Sequence, residues 1–181
     1  MASGVAKPWW RETIETILWA LILAFLIRTF IIQAFWIPSG SMLPTLQVGD
    51  RVLVAKFWNW FTSPSRGGVY VFKYPEDRSR DFIKRIIAVP GDTVNIRDGI
   101  VYINGSPLYE PYVINRDRYT LRPSRVYPTI PFIVPEDHFF TMGDNRPNSQ
   151  DGRFWGFVPV QDIHGPAFFR YWPLARIGLP R

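Results

Sequence analysis

Residues 17–37 read Ile-Leu-Trp-Ala-Leu-Ile-Leu-Ala-Phe-Leu-Ile-Arg-Thr-Phe-Ile-Ile-Gln-Ala-Phe-Trp-Ile, and Pro38 follows. The first eleven of these, Ile17 to Ile27, form an uninterrupted apolar run, and only Arg28, Thr29 and Gln33 break the remainder. Read as one helix, the stretch is about 31 Å long from the α-helical rise per residue. That length matches a bilayer hydrocarbon core of roughly 30 Å. Lys7 and Arg11 precede the run, and the next basic residue beyond Arg28 is Arg51. The positive-inside rule therefore puts the N-terminus in the cytoplasm and the bulk of the chain outside. A cleaved signal peptide has a similar basic start and apolar centre, but no small-x-small site follows here. A buried core helix lacks support because the run has no polar stripe. Arg28 is costly inside a bilayer unless it snorkels to an interface or faces protein. The reading is a single uncleaved membrane anchor.

Beyond Pro38, which ends the helix, the pattern changes to short strand-like runs separated by turn signals. Arg51–Phe57, Val69–Tyr74 and Phe82–Val89 are the first three, the last stopped by Pro90-Gly91-Asp92. Thr93–Arg97 and Ile100–Ile103 flank Asp98-Gly99, a hairpin signal, and Asn104-Gly105 marks the next turn. His138–Met142 and Ala167–Trp172 are later strand candidates, while 112–135 is rich in proline and arginine and reads as a long loop. The fold class is therefore mainly β, preceded by one transmembrane helix. With 181 residues, the chain has room for one β domain beside the anchor. The absence of cysteine excludes a thiol nucleophile, a thiolate-ligated metal and any disulfide. Two histidines cannot make a three-histidine metal site. The formal charge of +6 points to an anionic partner, either lipid or nucleic acid.

Three patches can carry chemistry. Pro38-Ser39-Gly40-Ser41-Met42-Leu43-Pro44-Thr45 stands where the chain leaves the membrane, with Ser41 among small residues that leave a hydroxyl accessible. A serine nucleophile needs a base. His138 and His164, with Asp137 and Asp162 nearby in sequence, keep a Ser-His-Asp triad open. Lys84 is the other candidate, since on a strand it shares a face with apolar Phe82 and Ile86, and hydrocarbon surroundings disfavour its charged form. Arg85 also lies among isoleucines, so periodicity alone leaves Lys84 equally readable as a surface lysine. The third patch, Thr141 to Gly156, is dense in polar groups, as in a hydrogen-bonded active-site loop. Its acidic residues lack the spacing of a calcium loop.

Together these patches resemble a family. Pro38-Ser39-Gly40-Ser41-Met42 with Pro44-Thr45, Phe82-Ile83-Lys84-Arg85 with Pro90-Gly91-Asp92, and Gly143-Asp144-Asn145-Arg146 with Asn148-Ser149 and Asp151 are similar to the ordered motifs of type I signal peptidases, the serine–lysine leader peptidases. The resemblance runs from Arg28 to Trp172. It implies Ser41 as nucleophile and Lys84 as general base. It also implies an oxyanion hole from the Ser39 hydroxyl and the Ser41 N–H, and a Ser149 that orients Lys84. Asp144, Arg146, Asp151 and Arg153 are implied as supporting residues, and no metal or cofactor is implied.

Phe82, Pro147 and Gly152 depart from residues common in the family, and 112–135 is shorter than in members with a large extra β subdomain. The implied organisation is a cytoplasmic N-terminus at 1–13, a transmembrane anchor at 14–37 and an extracytoplasmic catalytic domain at 38–181. The implied partners are the lipid bilayer and membrane-bound preproteins, cleaved after small residues at −1 and −3, with a place near the secretion translocon. Nucleic acid is not among them, because cytosolic nucleic acid lies on the wrong side of the membrane. Phe57-Trp58-Asn59-Trp60-Phe61 suits a headgroup region as well as a core. A second Ser–Lys family, the self-cleaving SOS-response repressors, carries a DNA-binding head where this chain has an apolar helix.

Overall fold

The protein is described by a computed structural model covering residues 8–180. Helix α1 (Trp9–Leu26) starts directly after Pro8, whose extended backbone precedes the first turn. Thr13 and Thr16 donate their hydroxyls to the carbonyls of Trp9 and Glu12, at 3.0 and 2.8 Å, so neither is left unpaired on an apolar rod. None of the helix's residues is buried against the rest of the protein. A five-residue π-helical turn, Ile27–Ile31, continues it, and Trp9–Ile31 together are long and apolar enough to cross a membrane. Lys7, part of the sequence argument for orientation, lies outside the described residues.

The helix does not extend to Ile37. It ends at Ile31, and strand β1 (Ile32–Trp36) begins at once, pairing antiparallel with β2 (Arg51–Ala55) from Ile32 opposite Ala55 to Trp36 opposite Arg51. The apolar helix expected to reach Ile37 thus stops at Ile31, and the β domain starts before Pro38. The physical reason lies in the partner strand. Ile32-Gln33-Ala34-Phe35-Trp36 is branched and aromatic enough to accept a pleated surface, and β2 supplies a full ladder of hydrogen bonds. Apolar character alone does not distinguish the two outcomes.

The other strands are β3 (Val69–Tyr74), β4 (Asp77–Ala88), β5 (Thr93–Arg97), β6 (Ile100–Ile103), β7 (Ser106–Pro107), β8 (Phe132–Ile133), β9 (His138–Met142), β10 (Val158–Pro159) and β11 (Ile163–Trp172). They form a seven-stranded sheet in the order β1-β2-β11-β3-β4-β9-β10 and a four-stranded sheet in the order β7-β6-β5-β8. Every strand pair is antiparallel. The β class is as expected, and the hairpin across Asp98-Gly99 pairs Arg97 with Ile100. Of the stretch 112–135 read as a loop, residues 112–131 carry no strand, whereas Phe132–Ile133 forms β8 at the edge of the smaller sheet.

β4 is the longest strand and lies between β3 and β9, which fixes the height of Lys84 opposite Tyr70. One core cluster joins Ile37, Met42 and Leu46 to Val52, Val54, Val69 and Val71. Met42 and Leu46 are completely buried, and burying each such side chain is worth roughly 1.5–3 kcal/mol. That anchoring holds the turn between them against the sheet. A short helix α2 (Gly152–Trp155) follows the polar loop, its N-terminus capped by Asp151, whose carboxylate accepts from the Arg153 N–H.

Candidate active site

Ser41 sits in a tight 3-10 turn, Gly40–Met42, just after β1. The first N–H groups of such a turn have no acceptor within it, so the Ser41 N–H points out of the turn's own hydrogen bonding. Asn145 ties this turn to the polar loop twice. Its backbone N–H donates to the Ser41 carbonyl at 3.0 Å, and its Nδ2 donates to the Gly40 carbonyl at 2.9 Å. Gly143 lets the two segments approach, since a Cβ there would lie 2.2 Å from Ser149 Oγ and 2.5 Å from the Ser41 carbonyl oxygen.

Lys84 reaches Ser41 from β4. Its Nζ donates to Ser41 Oγ at 2.6 Å, and Lys84 is only 4% exposed. Ser39 Oγ lies 3.4 Å from Ser41 Oγ on the exposed side. A cleft of about 590 Å³ opens on these groups, bordered by Phe82, Ser149 and Phe154. Neither histidine takes part. His164 Nε2 pairs with Asp81 at 2.8 Å, and His138 Nδ1 meets the Glu136 carbonyl at 2.7 Å. The Ser-His-Asp alternative has no geometry to support it.

The electrostatics explain why Lys84 differs from its neighbour Arg85. Three buried arginines each hold a carboxylate. Arg85 clasps Asp144 through Nε and a terminal nitrogen, at 2.8 and 2.6 Å, and Arg153 Nε donates to Asp151 at 2.8 Å. Arg146 forms a two-pronged pair with Glu110, buried on both sides. Among the described residues, no carboxylate pairs with Lys84. Burial therefore pushes its pKa down to about 8, with Arg153 acting in the same direction and the more distant charges of Asp151 and Asp144 opposing. The amine is poised between protonation states near neutral pH.

Of the supporting residues implied by resemblance, Asp144, Arg146, Asp151 and Arg153 all lie in this network, holding the loop rather than touching Ser41. Asp151 accepts the Gly143 N–H at 3.0 Å, and Arg153 donates to the Arg146 carbonyl at 2.6 Å. Ser149, implied to orient Lys84, borders the same cleft; its hydroxyl donates to the Gln150 carbonyl at 3.4 Å, and among the described residues Ser41 is the hydrogen-bond partner of Lys84 Nζ. The register of β4 sets the position of the lysine.

Glu110 and Asn145 are the site residues that sequence reading missed. Glu110 lies in a proline-flanked loop with no local pattern, whereas Asn145 stands inside the recognised patch. Gly152, one of the departures, has a steric cause: a Cβ there would lie 2.8 Å from the Thr141 carbonyl oxygen. Phe82, another, stacks on Tyr74 with ring centres 4.5 Å apart and meets Trp155 edge-on. Trp58 and Phe61 of the aromatic cluster are exposed.

The comparisons agree with this geometry. The family described as "Signal peptidase, peptidase S26" matches residues 10–172. The chain belongs to that family. It is 43% identical, over 97% of its length and 90% of the relative's, to the "Probable signal peptidase I-1" of Synechocystis sp.. It is 44% identical to the signal peptidase I of Leptolyngbya laminosa, over 92% of this chain and 82% of that one. The crystal structure of a signal peptidase I from Enterococcus faecalis superposes with a TM-score of 0.51 at 34% identity, covering 58% of this chain and 97% of the other.

The Glu110–Arg146 pair of this S26 peptidase offers a structural prediction. Glu110→Gln leaves the Arg146 guanidinium buried without its counter-ion, and loss of one partner of such a pair costs about 3–5 kcal/mol. Chemical denaturation should show that loss. A change below about 1 kcal/mol would mean that the pair is solvated.

Proposed function

We propose that this protein is a single-pass membrane serine endopeptidase that removes N-terminal signal peptides from exported preproteins. In this reading Trp9–Ile31 spans the membrane with the N-terminus in the cytoplasm. The β domain works on the outer face, and cleavage follows small residues at −1 and −3. The observation that carries the reading is the 2.6 Å contact between Lys84 Nζ and Ser41 Oγ, with a lysine that loses its proton near pH 8. The names of the relatives support the substrate class.

The geometry gives each atom a task. In the neutral amine the contact reverses, and the Ser41 O–H donates to the Nζ lone pair. Nζ takes that proton as Oγ bonds to the scissile carbonyl carbon, whose π electrons move onto oxygen. The Ser41 N–H and the Ser39 hydroxyl stand near enough to Oγ to receive the resulting oxyanion. As the carbonyl reforms, the C–N bond breaks and the leaving amine takes the proton from Lys84. Water, deprotonated by Lys84, then attacks the ester carbon; the C–O bond breaks, and Ser41 Oγ leaves with the proton that Lys84 took from the water. The anchor supports this use, because substrate and enzyme on one membrane meet at raised effective concentration.

The test is incubation of the detergent-solubilised protein with a preprotein bearing alanine at −1 and −3, followed by sequencing of the new N-terminus. Cleavage directly after −1 is expected, with loss of cleavage when −1 is tryptophan. Equal cleavage of both substrates removes the proposed specificity. Ser39→Ala should lower kcat by about 10²–10³-fold with little change in KM, since its hydroxyl is needed only once charge develops. An unchanged kcat would assign Ser39 to the turn alone.

A further inference from the structure

A second cavity, about 840 Å³, lies away from the nucleophile, between the end of the helix and the β1–β2 edge of the sheet. Its polar lining is Arg28, Thr29, Gln33 and Lys56, and no carboxylate contributes to it. Phe25, Ile32, Ala34 and Leu53 make up the rest. Lys56 donates its Nζ to the Thr29 carbonyl at 2.9 Å, docking the β domain onto the last helical turn. Arg28 is exposed and, among the described residues, has neither an ion pair nor a hydrogen bond. Two cations thus converge on one cavity with no protein anion to answer them.

Their depth identifies the missing anion. Arg28 is three residues before the helix end at Ile31, about 5 Å along the axis. An arginine there cannot remain in hydrocarbon and extends toward the interface. Lys56 arrives at the same level from the outer side. The charged layer at that level is the phosphate layer of the lipids, and Phe25 lies on the hydrocarbon side of it. We propose that this cavity binds the phosphate of an anionic outer-leaflet phospholipid between Arg28 and Lys56, with an acyl chain along Phe25. The proposal rests on the reading of Trp9–Ile31 as the span, and is independent of the proteolytic chemistry.

The experiment uses the full chain in nanodiscs containing equal parts of phosphatidylglycerol and phosphatidylcholine, with the retained lipids identified by native mass spectrometry. Each basic residue near an anionic surface is worth about a fivefold preference. The wild type should therefore retain phosphatidylglycerol about 25-fold over phosphatidylcholine. Arg28→Gln, which breaks no hydrogen bond, should lower that preference about fivefold, and Arg28→Lys should restore most of it. Lys56→Gln should have an effect similar to that of Arg28→Gln. An equal ratio of lipids in the wild type, or a ratio untouched by Arg28→Gln, overturns the proposal.

Inorganic phosphate at millimolar concentration supplies the second arm, in dodecylmaltoside. It should not displace the lipid, because it lacks the acyl chain. Displacement would assign the cavity to a soluble anion and overturn the lipid site. Carbonate extraction separates the two readings: a chain released from membranes removes the span itself, whereas a retained chain without lipid preference removes only this site.

Discussion

Ser41→Ala is expected to reduce turnover by at least about 10⁴-fold while leaving the fold intact. Serine, base and oxyanion donors act as one unit, so removing the nucleophile forfeits nearly all of their joint effect. Stability should fall by no more than about 1–3 kcal/mol, the cost of leaving buried Lys84 Nζ without its partner, because the ties from Asn145 run to the carbonyls of Gly40 and Ser41 and survive. Steady-state cleavage and thermal melting, measured side by side, check both halves. A well-folded Ser41→Ala protein that retains a tenth of the wild-type rate would require another nucleophile.

Lys84 carries the second large effect, and it has a pH signature. The reactive form is the neutral amine, with a pKa near 8. In the wild type, kcat/KM should rise about tenfold per pH unit below that value and level off above it. Lys84→Arg keeps its proton at any accessible pH and should lose at least about 10³-fold in rate. Lys84→Met should lose as much.

Lys84→Met should also be the more stable protein in acid. The folded-state pKa lies below the unfolded value of about 10.4, so folding opposes protonation of this group. The penalty is absent above the unfolded pKa, grows as pH falls toward 8, and is constant below that. The shift corresponds to roughly 3 kcal/mol, which Lys84→Met should recover near pH 6 and lose again above pH 10. Equal stability of wild type and variant at pH 6 would mean that water reaches the ammonium. A flat pH–rate profile between pH 6 and 9 would remove Lys84 as the base.

Much of this site could be read from the residues alone, and the exceptions have physical causes. Ser41 was legible because small residues and prolines punctuate its turn, and the polar loop because its donors and acceptors are so dense. Lys84 could not be separated from Arg85 by alternation. From Lys84 to Ala88 β4 is buried on both faces, so period 2 carries no contrast there. What separates them is a carboxylate: Asp144 answers Arg85, and among the described residues none answers Lys84. Glu110 meets Arg146 across 36 positions of chain, a pairing created by the fold and invisible to any local pattern. By sequence β1 reads as helix because an apolar run suits both states, and the deciding partner, β2, lies beyond the serine turn.

That same strand bears on how the protein works at a surface. β1 begins where the helix stops, and all five of its residues are locked into the sheet. The connection between rod and body is therefore a bracket, with no slack to swing on. A leash would let the nucleophile search a range of altitudes, whereas a bracket sets one. With the rod spanning a bilayer as proposed, any tilt imposed by a thicker or thinner membrane would pass to the cleft as a change of angle. A scissile bond would then have to be presented at a single elevation, so that the spacing between a substrate's own apolar segment and its cleavage point would become something this molecule measures.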